Sequence, residues 1–73
     1  MKLPTDVSGR QLVHALQRKG FVLRRQSGSH MILLREVPRA RVVVPNHKQI
    51  RPGTLHQILA ASGLTVAELA KLL

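Results

Sequence analysis

The chain contains no cysteine, tryptophan or tyrosine, one phenylalanine and only three acidic residues. Without cysteine, neither a disulfide nor a thiolate zinc site can staple the fold. Without an aromatic set there is almost no platform on which unpaired bases could stack, so a nucleic-acid ligand would have to be held by its phosphates and its shape. No apolar run approaches the roughly 20 residues that span a bilayer, and no signal-peptide pattern opens the sequence. A cytoplasmic location is therefore the expectation. Carboxylates are scarce and the four histidines lack close ligand spacing, so no metal or other cofactor is implied.

The same scarcity of acid leaves twelve Lys and Arg nearly unopposed, for a formal net charge of +9. The cations are spread along the chain rather than gathered in a tail. A small domain of this charge implies an anionic partner: nucleic acid, anionic lipid or an acidic protein. Seventy-three residues form one domain, residues 1–73, with a thin core. A chain of that length buries only about 60–65% of its extended surface.

After a short lead-in over residues 1–6, Ser8 precedes RQLVHALQRKG, in which Leu12, Ala15 and Leu16 recur at helical spacing. Ser8 with Gln11 fits a capping box and Val7 with Leu12 a hydrophobic staple, while Gly20 supplies a left-handed stop. FVLRR (21–25), HMILLR (30–35) and RVVVP (41–45) read as three strands, joined through Gln26–Ser29 and Glu36–Arg39. A polar, basic loop, NHKQIR (46–51), leads to a helix beginning near Pro52–Thr54 and stopped by Gly63. Thr65 with Glu68, and Leu64 with Leu69, repeat the capping box and staple for a last helix over 66–72. The order α-β-β-β-α plus a terminal helix predicts an α+β fold, with helices on one face of a three-stranded antiparallel sheet.

Strand registry places the chemistry. Either a two-residue or a four-residue first turn puts Arg25 opposite His30, where cross-strand Cβ atoms lie about 4.5–5.5 Å apart. A second turn at Glu36–Arg39 pairs Arg35 with Ala40 and sets His30 beside Pro45, next to Asn46, His47 and Lys48. One face then carries Val22, Met31, Leu33, Val42 and Val44 as a core. The other carries Arg25, His30 and Arg41 among Leu23, Ile32, Leu34 and Val43, unless a bulge reverses the faces. Such an apolar surface bordered by charge also suits a protein partner. On this pattern alone, His30 reads equally well as a strand histidine bonded to a carbonyl and as a catalyst. His47 is as suited to ordering its loop as to chemistry; His14 and His56 read as surface residues, and Arg18, Lys19 and Arg24 as solvating charge.

The pieces KGF (19–21), RQSGSHMIL (25–33), VVVPNH (42–47) and RPGTLHQILAASGLTVAEL (51–69), in this order and at this spacing, resemble the HicA family of toxin–antitoxin toxins. The resemblance covers nearly the whole chain. Many relatives have a charged turn ending in Asp-Gly where this chain has REVPRA (35–40). The resemblance implies a fold like a double-stranded-RNA-binding domain, cleavage of mRNA, a HicB-type antitoxin over the active surface, and a catalytic histidine that maps onto His30.

The chemistry is feasible for one imidazole. RNA carries its own nucleophile, the 2′-hydroxyl, so strand cleavage needs a base, cationic donors for the phosphorane and an acid for the leaving 5′ oxygen. A histidine ordinarily titrates near 6.5, which leaves a neutral base available at pH 7. Arg25 and Arg41, with Lys48 or Arg51, could hold the scissile phosphate. Gly28 and Ser29 would let the backbone approach the strand end closely, and His47 is the candidate acid. Two other functions compete with a ribonuclease. One is a non-catalytic RNA-binding module of the same fold. The other is a helix-turn-helix in LHQILAASGLTVAELAKLL, whose last helix offers only Glu68 and Lys71 to read base edges.

Overall fold

The computed structural model describes residues 3–73, so residues 1 and 2 of the lead-in lie outside it. The elements run α1 (Gly9–Gln17), β1 (Val22–Ser27), β2 (His30–Glu36), β3 (Arg39–Pro45), α2 (Pro52–Ser62) and α3 (Val66–Leu72). The strands form one antiparallel sheet in the order β1-β2-β3. This is the expected α+β layout.

Helix starts are set by local chemistry. Before α1 the Ser8 hydroxyl accepts from Gln11 N–H while the Gln11 side chain accepts from Ser8 N–H, which satisfies donors the helix cannot. Thr65 and Glu68 do the same for α3. α2 has no side-chain cap and instead begins on Pro52, whose missing N–H costs nothing there. Gly63 closes α2 in the left-handed conformation at φ 78°.

Both staples are buried as expected: Val7 with Leu12, and Leu64 with Leu69. Leu16, Phe21, Ile50, Leu55 and Ile58 join Met31, Leu33, Val42 and Val44 to make one core between the helices and one face of the sheet. Arg35 stitches its edge. The guanidinium lies 4.5 Å over the Phe21 ring, Nε donates to the Pro38 carbonyl at 2.9 Å, and an Nη donates to the Ser62 carbonyl at the end of α2. A cation at the carbonyl end of a helix also meets its partial negative charge.

The sheet departs from the sequence-based register in β1. His30 pairs with Ser27, not Arg25, because β1 runs on to Ser27 and only Gly28 and Ser29 make the turn. The structure adds one further feature, a bulge between Leu23 and Arg25. The first difference is two residues, which preserves which side chains share a face; the second is one residue, which inverts them. Arg25 therefore stays on the face of His30, opposite Ile32, while Val22 and Leu23 exchange places. Val22, expected in the core, is 53% exposed across from Leu34, and Leu23 turns toward the α1 side beside Leu33. Strict alternation would put Arg24 and Arg25 on opposite faces of β1, a strand exposed along its whole length; the bulge puts both on the open one. The β2–β3 register is as expected throughout, from His30 opposite Pro45 to Arg35 opposite Ala40.

Candidate functional site

His30 is the first residue of β2 and is exposed, on the sheet face the helices leave uncovered. It is delivered there by the tight turn before it. Gly28 has φ 58° and Ser29 does not share a positive φ, the pattern of a two-residue type II′ turn with glycine at its first central position. The Gln26 side-chain amide donates to the Gly28 carbonyl at 3.3 Å and braces the turn.

A second set of bonds fixes the neighbouring loop. Asn46 N–H donates to the Ser29 carbonyl, which joins the first turn to the end of β3. Gly9 N–H donates to the His47 carbonyl at 2.9 Å, Ile50 N–H to the Val7 carbonyl at 2.7 Å, and the Gln49 side chain to the Thr5 carbonyl at 2.8 Å. The loop over 46–51 is thus tied by its backbone to the segment over 5–9. Gly9 sits so close to the Pro45 carbonyl that a Cβ there would overlap it. Through Pro45, the start of α1 is therefore packed under the strand end that stands beside His30.

These elements set Ser29 and Arg25 next to His30, put the start of the 46–51 loop beside it and leave Arg41 apart. Ser29 precedes His30 in the turn, and Arg25 lies diagonally across from it, two residues before its partner Ser27. A diagonal pair of this kind is within reach of a long side chain. His47 follows two residues after Pro45, Lys48 one later, and Arg51 is the N-cap of α2; all three are exposed. Arg41 is on the right face but faces Leu34, four residues along β2 from His30, about 13 Å at the rise of a strand. It belongs with Arg24 and Arg39, which line the same groove as Val22 and Leu34 at the far end of the sheet.

Arg24 is the residue that sequence reasoning passed over. The signal was an adjacent arginine pair inside an alternating strand, which only a bulge can bring to one face. Lys19, taken as solvating charge, holds Glu68 at 3.1 Å instead. His14 and His56 are exposed on their helices, as expected. Among the described residues no three of His, Asp and Glu gather as a metal-ligating cluster, and no helix is long and apolar enough to cross a membrane.

The family model described as HicA toxin of bacterial toxin-antitoxin matches residues 9–64, from the first residue of α1 to just past the end of α2. That is more than half of the 73 residues and includes both β-hairpins and His30. No individual curated protein matches the chain. The chain belongs to the HicA family of toxins of bacterial toxin–antitoxin systems.

Proposed function

We propose that this toxin is a metal-independent endoribonuclease that cleaves mRNA at a phosphate presented to His30. The observation that supports it most is the exposed imidazole at the start of β2, on an uncovered face, with a fixed basic loop beside it. His30 takes the 2′-hydroxyl proton as that oxygen attacks the adjacent phosphorus. The bond from phosphorus to the 5′ oxygen breaks, leaving a 2′,3′-cyclic phosphate and a 5′-hydroxyl. The departing oxygen collects its proton from His47, two residues beyond the partner of His30. Arg25 and Lys48 balance charge on the phosphorane, where charge-assisted donors are strongest, and Arg51 holds the RNA further along the loop. Ser29 and Gly28 keep the turn low enough for the backbone to pass.

A toxin of such a system has an antitoxin partner. We infer that a HicB-type antitoxin silences this one by covering the open face, where half-buried Ile32, Leu34 and Val43 and exposed Val22 lie among arginines. A surface of that composition suits an acidic protein with apolar anchors.

The test is incubation of RNA with wild type and His30→Ala, each with and without EDTA. Wild type cleaves at the same rate in chelator, and the variant loses cleavage while keeping its RNA affinity. Cleavage by His30→Ala would remove His30 from the mechanism. A wild type that binds RNA and never cuts it would return the reading of a non-catalytic RNA-binding module. A helix-turn-helix is disfavoured further by Glu68, which is engaged by Lys19 and Thr65 rather than free for a groove.

A further inference from the structure

The sheet face of His30 carries a second group of cations, and the bulge in β1 is what assembles it. Strict alternation would send Arg24 and Arg25 to opposite faces; the bulge lets both serve the open one. Arg25 lies toward the His30 end. Arg24 lies toward the other end, lining a groove of roughly 1020 Å³ with Arg39 and Arg41 of β3. Among the described residues the side chains of these three make no hydrogen bond and no ion pair, even though Glu36 stands opposite Arg39 in the register. The other cations on this groove are committed: Lys19 to Glu68, and Arg35 to Phe21, Pro38 and Ser62. Free guanidinium groups on one face of a protein with three acidic residues in all are in search of an anion.

Position says which anion. Arg41 is four residues along β2 from His30, and Arg39 six, or about 13 and 20 Å at the rise of a strand. Neither can touch the phosphate that His30 attends. A polyanion lying across that histidine and continuing along the same face meets them next. The groove offers no aromatic ring, so it can hold such a chain by its phosphates and not by its bases.

We propose that Arg24, Arg39 and Arg41 form a second phosphate-binding subsite, which holds the backbone of a single-stranded RNA away from the point of cleavage. The direction of the RNA path rests on the reading of His30 as the cleavage point; the subsite itself is tested by binding alone. Its consequence is a substrate-length requirement. A short RNA that reaches only His30 gains nothing from the subsite, and a long one is held by it.

The test measures binding of a fluorescein-labelled, fully 2′-O-methylated 20-nucleotide RNA across a series of KCl concentrations. The proteins are wild type, His30→Ala, the triple variant Arg24→Gln/Arg39→Gln/Arg41→Gln, and the corresponding triple lysine variant. Each lost phosphate contact on a single strand lowers the slope of log affinity against log salt by about 0.7, so the glutamine triple lowers it by about 2 and weakens binding at least about tenfold at low salt. Lysines restore most of both, and His30→Ala changes neither by more than about twofold, since it leaves all three arginines in place. With cleavable substrates, the glutamine triple raises KM for a 20-nucleotide RNA and leaves the rate on a dinucleoside monophosphate unchanged.

Unchanged affinity and slope in the glutamine triple overturn the subsite, as does undetectable RNA binding by wild type. So does a triple that keeps RNA affinity but no longer binds an antitoxin, which would make the groove a protein-docking site. Persistent cleavage by His30→Ala sinks the catalytic reading instead, and leaves the binding result to stand or fall separately.

Discussion

Ser27 stands opposite His30 with only Gly28 and Ser29 between them. That pairing fixes the face on which the imidazole emerges, because a shift of one residue would turn it toward the helices. Gly28 carries the geometry: its φ is 58°, and nothing lies within 4 Å of where a Cβ would be. Gly28→Ala is therefore penalised by backbone strain and not by collision, at about 1–3 kcal/mol. Urea unfolding should show that loss, and RNA cleavage should fall further than the unfolded fraction explains. Gly53→Ala is the control. It has equal space and no positive φ, and it lies in the first turn of α2, so it should hold or raise stability by up to about 1 kcal/mol.

Gly9 makes the opposite case. A Cβ there would overlap the Pro45 carbonyl, which belongs to backbone and cannot swing aside. Gly9→Ala should cost about 1–3 kcal/mol as overpacking. Since Pro45 is the cross-strand partner of His30, cleavage should drop beyond the loss of folded protein. A variant with wild-type melting temperature and wild-type rate would show that the strand end accommodates the methyl.

The contrast between these glycines shows what was legible in the sequence. Caps, staples and stops lie within five residues of one another, so Ser8 with Gln11, Thr65 with Glu68, and Gly63 could be read from the letters. The β2–β3 register followed too, because the hairpin turn is confined around Pro38 and the alternation in Met31–Leu34 and Val42–Val44 is unambiguous. The first hairpin did not. Its turn residues Gln26, Ser27, Gly28 and Ser29 are all compatible with strand or turn, and the bulge at Arg24 depends on what lies beneath the sheet, which local pattern does not encode. Hence the face of His30 and Arg25 and the pairing of Arg41 with Leu34 were readable, while the place of Arg24 and Val22 beside them was not. Burial of Gly9 against Pro45 is a long-range contact and left no mark in the sequence at all.

Arg35 shows that a basic residue near this surface need not serve an anion. Its guanidinium stacks on Phe21 and donates to two carbonyls from different elements. Arg35→Lys keeps the charge and loses the planar fork, so it should destabilise by about 1–2 kcal/mol. The salt dependence of RNA binding should stay as in wild type, measured by fluorescence anisotropy. A reduced salt slope with unchanged stability would instead assign Arg35 to the ligand.

Glu68 gives the fold an acid-sensitive joint. The Thr65 backbone N–H bonded to its carboxylate, and then Lys19 at 3.1 Å, hold its pKa below the ordinary 4.5. The carboxylate is charged in the folded state down to lower pH than in the unfolded chain, so the unfolded state takes up the proton first as acid is added. Its contribution is then fully present above pH 4.5 and is lost as pH falls through the depressed folded value. Glu68→Gln removes this carboxylate, so it should flatten the decline of melting temperature below pH 4.5 relative to wild type. The amide still accepts from Thr65, which keeps the cap, but no longer attracts Lys19. Equal slopes for the two proteins between pH 3 and 4.5 would mean that the carboxylate takes up its proton alike in the folded and unfolded states, so that neither the cap nor Lys19 lowers its pKa.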